Sequence, residues 1–236
     1  MWWKMKNKKD LKYYTYTLDM TYLNILSIIL FVGVWLLVFF INKDYLTPRG
    51  NVGLLFIYMI LWLMFHEVLH GIGFSIFKEV KTKNVVFGMA LEKGVFYCMC
   101  KQKISKKVIL TSLLFPFTII GVITLIIGML YNNYDLIMLS ILNIAGAVGD
   151  LVMTNYFIKA PKDITYLDLD DCTSFTVLSK EDLSNLKVKG LKLKETGIYS
   201  EDMEAKDKRK IVISKQSYIV LGILIILSLF VIFVRR

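Results

Sequence analysis

The sequence has few of the residues that cross-link chains or bind metals. It contains three cysteines and two histidines in 236 residues. Cys98, Cys100 and Cys172 all lie in segments whose charge predicts the cytoplasmic side of a membrane, where free thiols are expected. A disulfide framework is therefore not expected, and the single Cys-x-Cys pair is a weak signal for a metal site.

Charged residues are almost absent from five long apolar runs. Each run is long enough to cross a hydrocarbon core of ~30 Å. The mean hydropathy of +0.57 and the 56% share of hydrophobic residues exclude an ordinary soluble domain. We therefore predict an all-α membrane protein, a polytopic bundle of four to five transmembrane helices. The runs are Tyr22–Ile41, Gly53–Phe77, Val108–Leu130, Leu136–Ile158 and Tyr218–Val234.

Basic residues are abundant, but their distribution argues against a nucleic-acid partner. Of 29 lysines and arginines, 5 precede the first run, 7 lie between positions 79 and 107, and 12 lie between positions 159 and 215. This asymmetry follows the positive-inside rule. It predicts a multi-pass protein of a bacterial-type plasma membrane with a cytoplasmic N-terminus. The lipid bilayer is then its first partner.

The chain divides into three parts. Residues 1–160 form a predicted membrane core, residues 161–216 a small cytoplasmic appendage, and residues 217–236 a C-terminal anchor. Within the core, valines and aromatics flank a turn at Gly94, which predicts a small cytoplasmic β-hairpin near residues 84–100. The acidic run from Asp168 to Asp171 is expected to be a solvated turn, with a cation site as the alternative.

The second apolar run contains the sequence HEVLH, an H-E-x-x-H motif. Positions i and i+4 share one helix face, so His66 and His70 are able to bind one metal ion. Glu67 stands beside them, close enough to act on a water molecule at the metal. Polar groups at this depth are costly unless they are paired or functional. The alternative is a pair of histidines that only bridge helices.

Membrane depth indicates the third ligand. Catalytic zinc sites use three protein ligands and water. Asp150 is the only other acidic residue in any of the five runs. His66 comes 13 residues after Gly53, and Asp150 comes 14 residues after Leu136. At ~1.5 Å per residue, both lie ~20 Å below the same face. We therefore predict Asp150 as a ligand, with a proton relay or a packing role as the alternatives.

The neighbours of Asp150 carry two further predictions. Gly146 and Gly149 have no side chains, which favours close approach of helices there, as do Gly71 and Gly73 beside the histidines. Asn143 lies seven residues before Asp150, on nearly the same helix face. It is predicted either to hydrogen-bond the substrate carbonyl or the developing oxyanion, or to make an interhelical hydrogen bond.

Four segments in order resemble a known family: HEVLHGIGF, VVFGMALEKGVFYCMCKQKIS, LLFPF and GAVGDL. They look like the bacterial membrane family of putative zincin peptidases, over roughly residues 60 to 178. The plan is similar to that of the site-2 proteases. The resemblance implies His66, His70 and Asp150 as zinc ligands and Glu67 as the catalytic base.

These features predict a zinc-dependent intramembrane metallopeptidase. It would cleave a membrane-embedded or membrane-proximal peptide with zinc-activated water. Two alternatives use the same site: a non-catalytic peptide-binding membrane protein, and a metal-handling membrane protein such as a transporter or sensor.

Overall fold

The computed structural model describes residues 11–48, 52–90, 95–168 and 173–200. The predicted C-terminal anchor and its apolar run, Tyr218–Val234, lie outside the described residues. So do the turn at Gly94 and most of the acidic run that follows Asp168.

Apolar helices form the body of the protein. Three of them are long and apolar enough to span a membrane: Met20–Ile41, Gly53–Ser75 and Lys106–Leu130. The third is continuous through a π-helical segment, Phe117–Ile123. The chain is therefore a membrane protein, with three such spans among the described residues where four or five were predicted. The helices are α1 (Met20–Ile41), α2 (Val52–Ser75), α3 (Lys106–Pro116), α4 (Thr124–Leu130), α5 (Tyr134–Gly146) and α6 (Val148–Lys159).

The predicted fourth span is not one straight helix. It is divided into α5 and α6, which are bent by 49° at a short break. Ala147 joins them, and its amide still bonds the carbonyl of Asn143. Glycines on both sides of Ala147 lower the helical stability of this stretch, which makes it the natural place for the break. The bend puts Asp150 in the first turn of α6.

The predicted all-α class is wrong, because strands account for 20% of the structure and helices for 58%. Five antiparallel strands form one sheet in the order β4-β5-β6-β1-β7. A second sheet pairs β2 with β3 in the antiparallel manner expected for the predicted hairpin. The strands are β1 (Lys12–Leu18), β2 (Val85–Ala90), β3 (Val95–Cys100), β4 (Ile104–Ser105), β5 (Thr165–Leu167), β6 (Ser174–Ser179) and β7 (Leu191–Ile198).

The N-terminal strand explains why the sheet was missed. Residues 14–17 alternate tyrosine with threonine, and such residues favour strands. β1 lies between β6 and β7 and buries Tyr14 and Tyr16. Local hydropathy does not reveal a strand whose partners lie more than 150 residues away.

The sheet packs against the C-terminal end of α6 through aromatic rings. Tyr16 lies 4.7 Å from Tyr156 between ring centroids, and Phe157 lies 5.6 Å from Phe175. Lys192 of β7 also pairs with Asp19, the N-cap of α1, at 2.7 Å. The five-stranded sheet is thereby fixed at one end of the helices.

Candidate metal centre

Two histidines on α2 and one aspartate on α6 converge on a single point. The Nε2 atoms of His66 and His70 are 3.1 Å apart. The Oδ2 atom of Asp150 lies 3.2 Å from His66 Nε2 and 3.4 Å from His70 Nε2. The spacing i, i+4 aligns the two rings on one helix face, and the bend before α6 brings the carboxylate to them. These three atoms form a triangle with nearly equal sides.

The triangle fits a tetrahedral metal ion. Ligand atoms at ~2.1 Å from zinc in a tetrahedron are about 3.4 Å from one another, close to the three separations observed. Two imidazole nitrogens and one carboxylate oxygen are also a known donor set of catalytic zinc sites. His66, His70 and Asp150 would therefore hold the ion and leave a fourth position open.

Hydrogen bonds at the other ring nitrogens set the tautomers of both histidines. His66 Nδ1 donates to Asn143 Oδ1 at 2.8 Å, and His70 Nδ1 donates to the carbonyl of Ser112 at 2.8 Å. With the proton on Nδ1, each ring turns an unprotonated Nε2 toward Asp150. Such outer partners orient metal-binding histidines and raise their basicity.

Asn143 therefore contacts a predicted ligand. Its Oδ1 accepts from His66, and its Nδ2 donates to the carbonyl of Pro116 at 3.4 Å. The second bond fixes the orientation of the amide, because only the nitrogen end is a donor. Of the two roles predicted for Asn143, the interhelical hydrogen bond is the one that these contacts describe.

Sequence reasoning missed Ser112, whose carbonyl is available because of Pro116. In an α-helix, the amide of residue 116 would bond the carbonyl of residue 112, but proline has no amide hydrogen. The carbonyl of Ser112 instead accepts from His70, and the Ser112 hydroxyl donates back to the carbonyl of His70 at 3.0 Å. A proline four residues after a position is a readable sequence signal for such a free carbonyl.

Glu67 lies beside the triangle without joining it. Its carboxylate oxygen and the histidine nitrogens all lie within 4.8 Å of one another. The separations from Asp150 to the histidines are shorter, which makes Asp150 the better third ligand and leaves Glu67 free. The main-chain amide of Cys98 on β3 hydrogen-bonds the Glu67 carboxylate. The hairpin thus holds Glu67 at the edge of the centre.

The centre opens into a cavity of about 250 Å³. The three predicted ligands and Glu67 line it, and so do β3, α3 and the segment that follows β5. Asp168 also lines this cavity, although the sequence predicted it to be part of a solvated turn. This volume is enough for several water molecules beside Glu67.

The glycines near the centre have two different roles. A Cβ atom on Gly73 would lie 2.7 Å from the Ser112 Cα, and one on Gly71 would lie 2.3 Å from the Phe87 ring. Gly73 thus permits the predicted close approach of α2 to α3, whereas Gly71 makes room for a ring of the hairpin rather than for a helix. At Gly146 and Gly149, a Cβ atom would meet nothing within 4 Å. The expected close approach is wrong there, because both glycines face the open cavity.

The fold and the site together define a membrane protein with a zincin-type donor set. The model of the family described as putative zincin peptidase matches residues 59–165. This segment contains all five predicted site residues, and it confirms the resemblance predicted from the sequence. The likeness to site-2 proteases is not confirmed. No curated protein and no solved structure matches the chain.

Proposed function

We propose that this protein is a zinc-dependent metallopeptidase that cleaves membrane-embedded or membrane-proximal peptides. The observation that carries the proposal is the triangle of Nε2, Nε2 and Oδ2 atoms with sides of 3.1–3.4 Å, whose two rings are fixed by Asn143 and Ser112. Glu67, within 4.8 Å of both imidazoles, supplies the remaining group that peptide hydrolysis needs.

When bound, zinc supplies Lewis-acid activation of water and of the peptide carbonyl. Glu67 accepts the proton of the attacking water and passes it to the leaving amine nitrogen. The Cys98 amide keeps the Glu67 carboxylate at the cavity wall. Asn143 acts as a positioning residue, because it holds the His66 ring rather than the reacting atoms.

The substrate segment lies in the cavity in an extended conformation. A helix hides its peptide groups in hydrogen bonds, so a transmembrane substrate has to unwind locally before hydrolysis. β3 lines the cavity beside Glu67 and offers a straight wall for such a segment.

The sheet end of the protein faces the cytoplasm in this proposal. β1, β4, β5, β6 and β7 form one sheet, so β1 and the lysines next to β4 and on β7 lie at one end of the described helices. The positive-inside rule assigns that end to the cytoplasm of a bacterial-type plasma membrane. Substrate and water enter from there.

Two substitutions test the proposal in the purified full-length protein. Glu67→Gln should retain about one zinc per chain and lower the rate of peptide cleavage by about 10²-fold or more, because the ligands remain and the base is lost. Asp150→Ala should lose both zinc and cleavage. Metal analysis and a cleavage assay on a transmembrane peptide measure these outcomes.

Asp163→Asn is the matched control, since Asp163 is exposed and does not line the cavity. Unchanged turnover in Glu67→Gln would remove Glu67 from the reaction. Unchanged zinc in Asp150→Ala would remove the third ligand. Zinc binding and peptide binding without any cleavage in the wild type would identify a non-catalytic peptide-binding protein.

A further inference from the structure

Asp168 is an acidic residue of the cavity that lies beyond the segment matched by the family model. It follows β5 directly, whereas the match ends at residue 165. Its carboxylate accepts hydrogen bonds from the Tyr166 hydroxyl and from the main-chain amide of Cys100. It therefore has a fixed place in the same cavity as Glu67 and Asp150.

The pairing of β3 gives the spacing between Asp168 and Glu67. The Lys101 amide donates a hydrogen bond to the Asn84 carbonyl, on the β2 side. Because amides point to opposite sides at successive residues of a strand, the amides of Cys100 and Cys98 point away from β2. Cys98 bonds Glu67 and Cys100 bonds Asp168. Two residues of a strand span roughly 7 Å. The two carboxylates thus stand along one strand edge, about two residues apart.

The charge around Asp168 is not balanced within the cavity. Three carboxylates line it, those of Glu67, Asp150 and Asp168, and no lysine or arginine is among its described lining residues. A divalent metal ion held by His66, His70 and Asp150 would compensate the first two. Burial raises the pKa of Asp168 to about 7, although the hydrogen bonds from Tyr166 and Cys100 lower that pKa. The two hydrogen bonds therefore do not offset the cost of ionising this carboxyl group.

We propose that Asp168 binds a lysine or arginine side chain of the substrate about two residues from the scissile bond. This inference rests on the peptidase function proposed above. An extended peptide with its scissile bond at Glu67 brings a residue roughly 7 Å away to Asp168. A cation there supplies the charge that the cavity lacks. Membrane proteins carry lysine and arginine at the cytoplasmic ends of their spans, where this cavity opens in our proposal.

The test compares peptides that differ in one charge. A transmembrane model substrate carries a single lysine, glutamine or glutamate at each of the positions within four residues of the scissile bond. Cleavage by the full-length zinc protein is measured as kcat/KM. We expect a preference of about tenfold or more for lysine over glutamine at one position, mainly through KM, and discrimination against glutamate there.

Asp168→Asn should bring the ratio of lysine to glutamine close to one, because asparagine keeps an acceptor for the Cys100 amide and loses the charge. Asp163→Asn, which changes an exposed carboxylate outside the cavity, should keep the wild-type ratio. Acetylated and free N-termini distinguish a lysine side chain from a terminal amine as the bound cation. A preference that depends on the free terminus would overturn the side-chain assignment.

A binding assay separates this inference from the proposed function. The same peptides are titrated against Glu67→Gln and against the double variant Glu67→Gln/Asp168→Asn. The role of Asp168 is overturned, and the peptidase function retained, by either of two results. The wild type cleaves without a lysine preference, or the lysine preference persists in Asp168→Asn. Lysine-dependent binding that requires Asp168, with no cleavage by the wild type, overturns the peptidase and retains the cation site.

Discussion

Each ring nitrogen of the two histidines has an assigned partner. His66 and His70 use Nδ1 as a donor to another helix and leave Nε2 for the shared point with Asp150. Buried polar groups are stable in hydrocarbon only when such partners exist. The sequence predicted which side chains meet, because no other histidine or acidic residue stands at that depth. It did not predict Ser112, because Pro116 marks a free carbonyl four residues earlier but does not show which side chain bonds it.

The hydrogen bond between Asn143 and His66 carries a prediction about metal affinity. Asn143→Ala removes the acceptor at His66 Nδ1, so the ring loses its fixed tautomer and orientation. We expect zinc affinity to fall by about 10- to 100-fold, measured by competition with a chelator. Asn155→Ala, on the exposed side of α6, is the control. Unchanged affinity with a lower kcat would instead place Asn143 on the substrate.

The buried carboxyl of Asp168 makes stability depend on pH. Its pKa in the folded state is about 7, above the ordinary value of 3.8, because burial disfavours the charge. The folded state binds this proton more tightly, so the free energy of unfolding falls as pH rises from about 4 to 7, by about 1.4 kcal/mol per pH unit at most. Asp168→Asn removes this loss.

The thermal stability of Asp168→Asn relative to the wild type should therefore increase between pH 4 and 7 and level off above pH 7. Both proteins share the metal ligands, whose own titration cancels in the difference. Asp163→Asn should show a difference that does not vary with pH. A flat difference for Asp168→Asn as well would mean that Asp168 ionises without cost in the folded protein.

At the scale of elements, breaks in helices place the site. The bend between α5 and α6 turns Asp150 toward α2, and Pro116 frees the carbonyl that holds His70. The predicted span from Leu136 to Ile158 had the right composition but the wrong shape. Hydropathy averages over a window, and a bend of 49° at one residue leaves that average unchanged.

The contact between α2 and α3 depends on Gly73. In Gly73→Ala, the new Cβ atom would lie 2.7 Å from Ser112 Cα, so the two helices have to separate. Overpacking of this kind costs about 1–3 kcal/mol, and here it also moves the Ser112 carbonyl away from His70. We expect a lower unfolding temperature and weaker zinc binding, measured by thermal unfolding and chelator competition.

Gly33→Ala in α1 is the matched control, because a Cβ atom there meets nothing within 4 Å. It should leave both the unfolding temperature and the zinc affinity unchanged. Equal behaviour of the two variants would show that α2 and α3 are not held together at Gly73.

At the scale of the whole molecule, the five-stranded sheet joins distant parts of the chain at one end of the helices. β1 comes before the first span, β4 precedes the third, and β5, β6 and β7 follow α6. All these segments therefore share one side of the membrane. The counts of lysine and arginine agree with that grouping, and the positive-inside rule predicts that this side is cytoplasmic.

Labelling of one introduced cysteine at a time tests the orientation. Lys194→Cys lies on β7 at the sheet end, and Lys43→Cys lies beyond the other end of α1; both positions are exposed. A maleimide that does not cross membranes should label Lys43→Cys in intact spheroplasts, and it should label Lys194→Cys only after lysis. In each case the extent of labelling is compared with that of the parent protein under the same conditions. The reverse pattern would invert the proposed topology.

The amino-acid sequence by itself determined that this chain lies in a membrane and that His66, Glu67, His70 and Asp150 form one candidate site. Composition and depth carry that information, since hydrocarbon penalises each polar group singly. Only the tertiary structure decided the sheet, the bend before α6, the partners of the two imidazoles and the position of Asp168. Those features depend on pairings between residues far apart in the chain, and such pairings are fixed by packing in three dimensions.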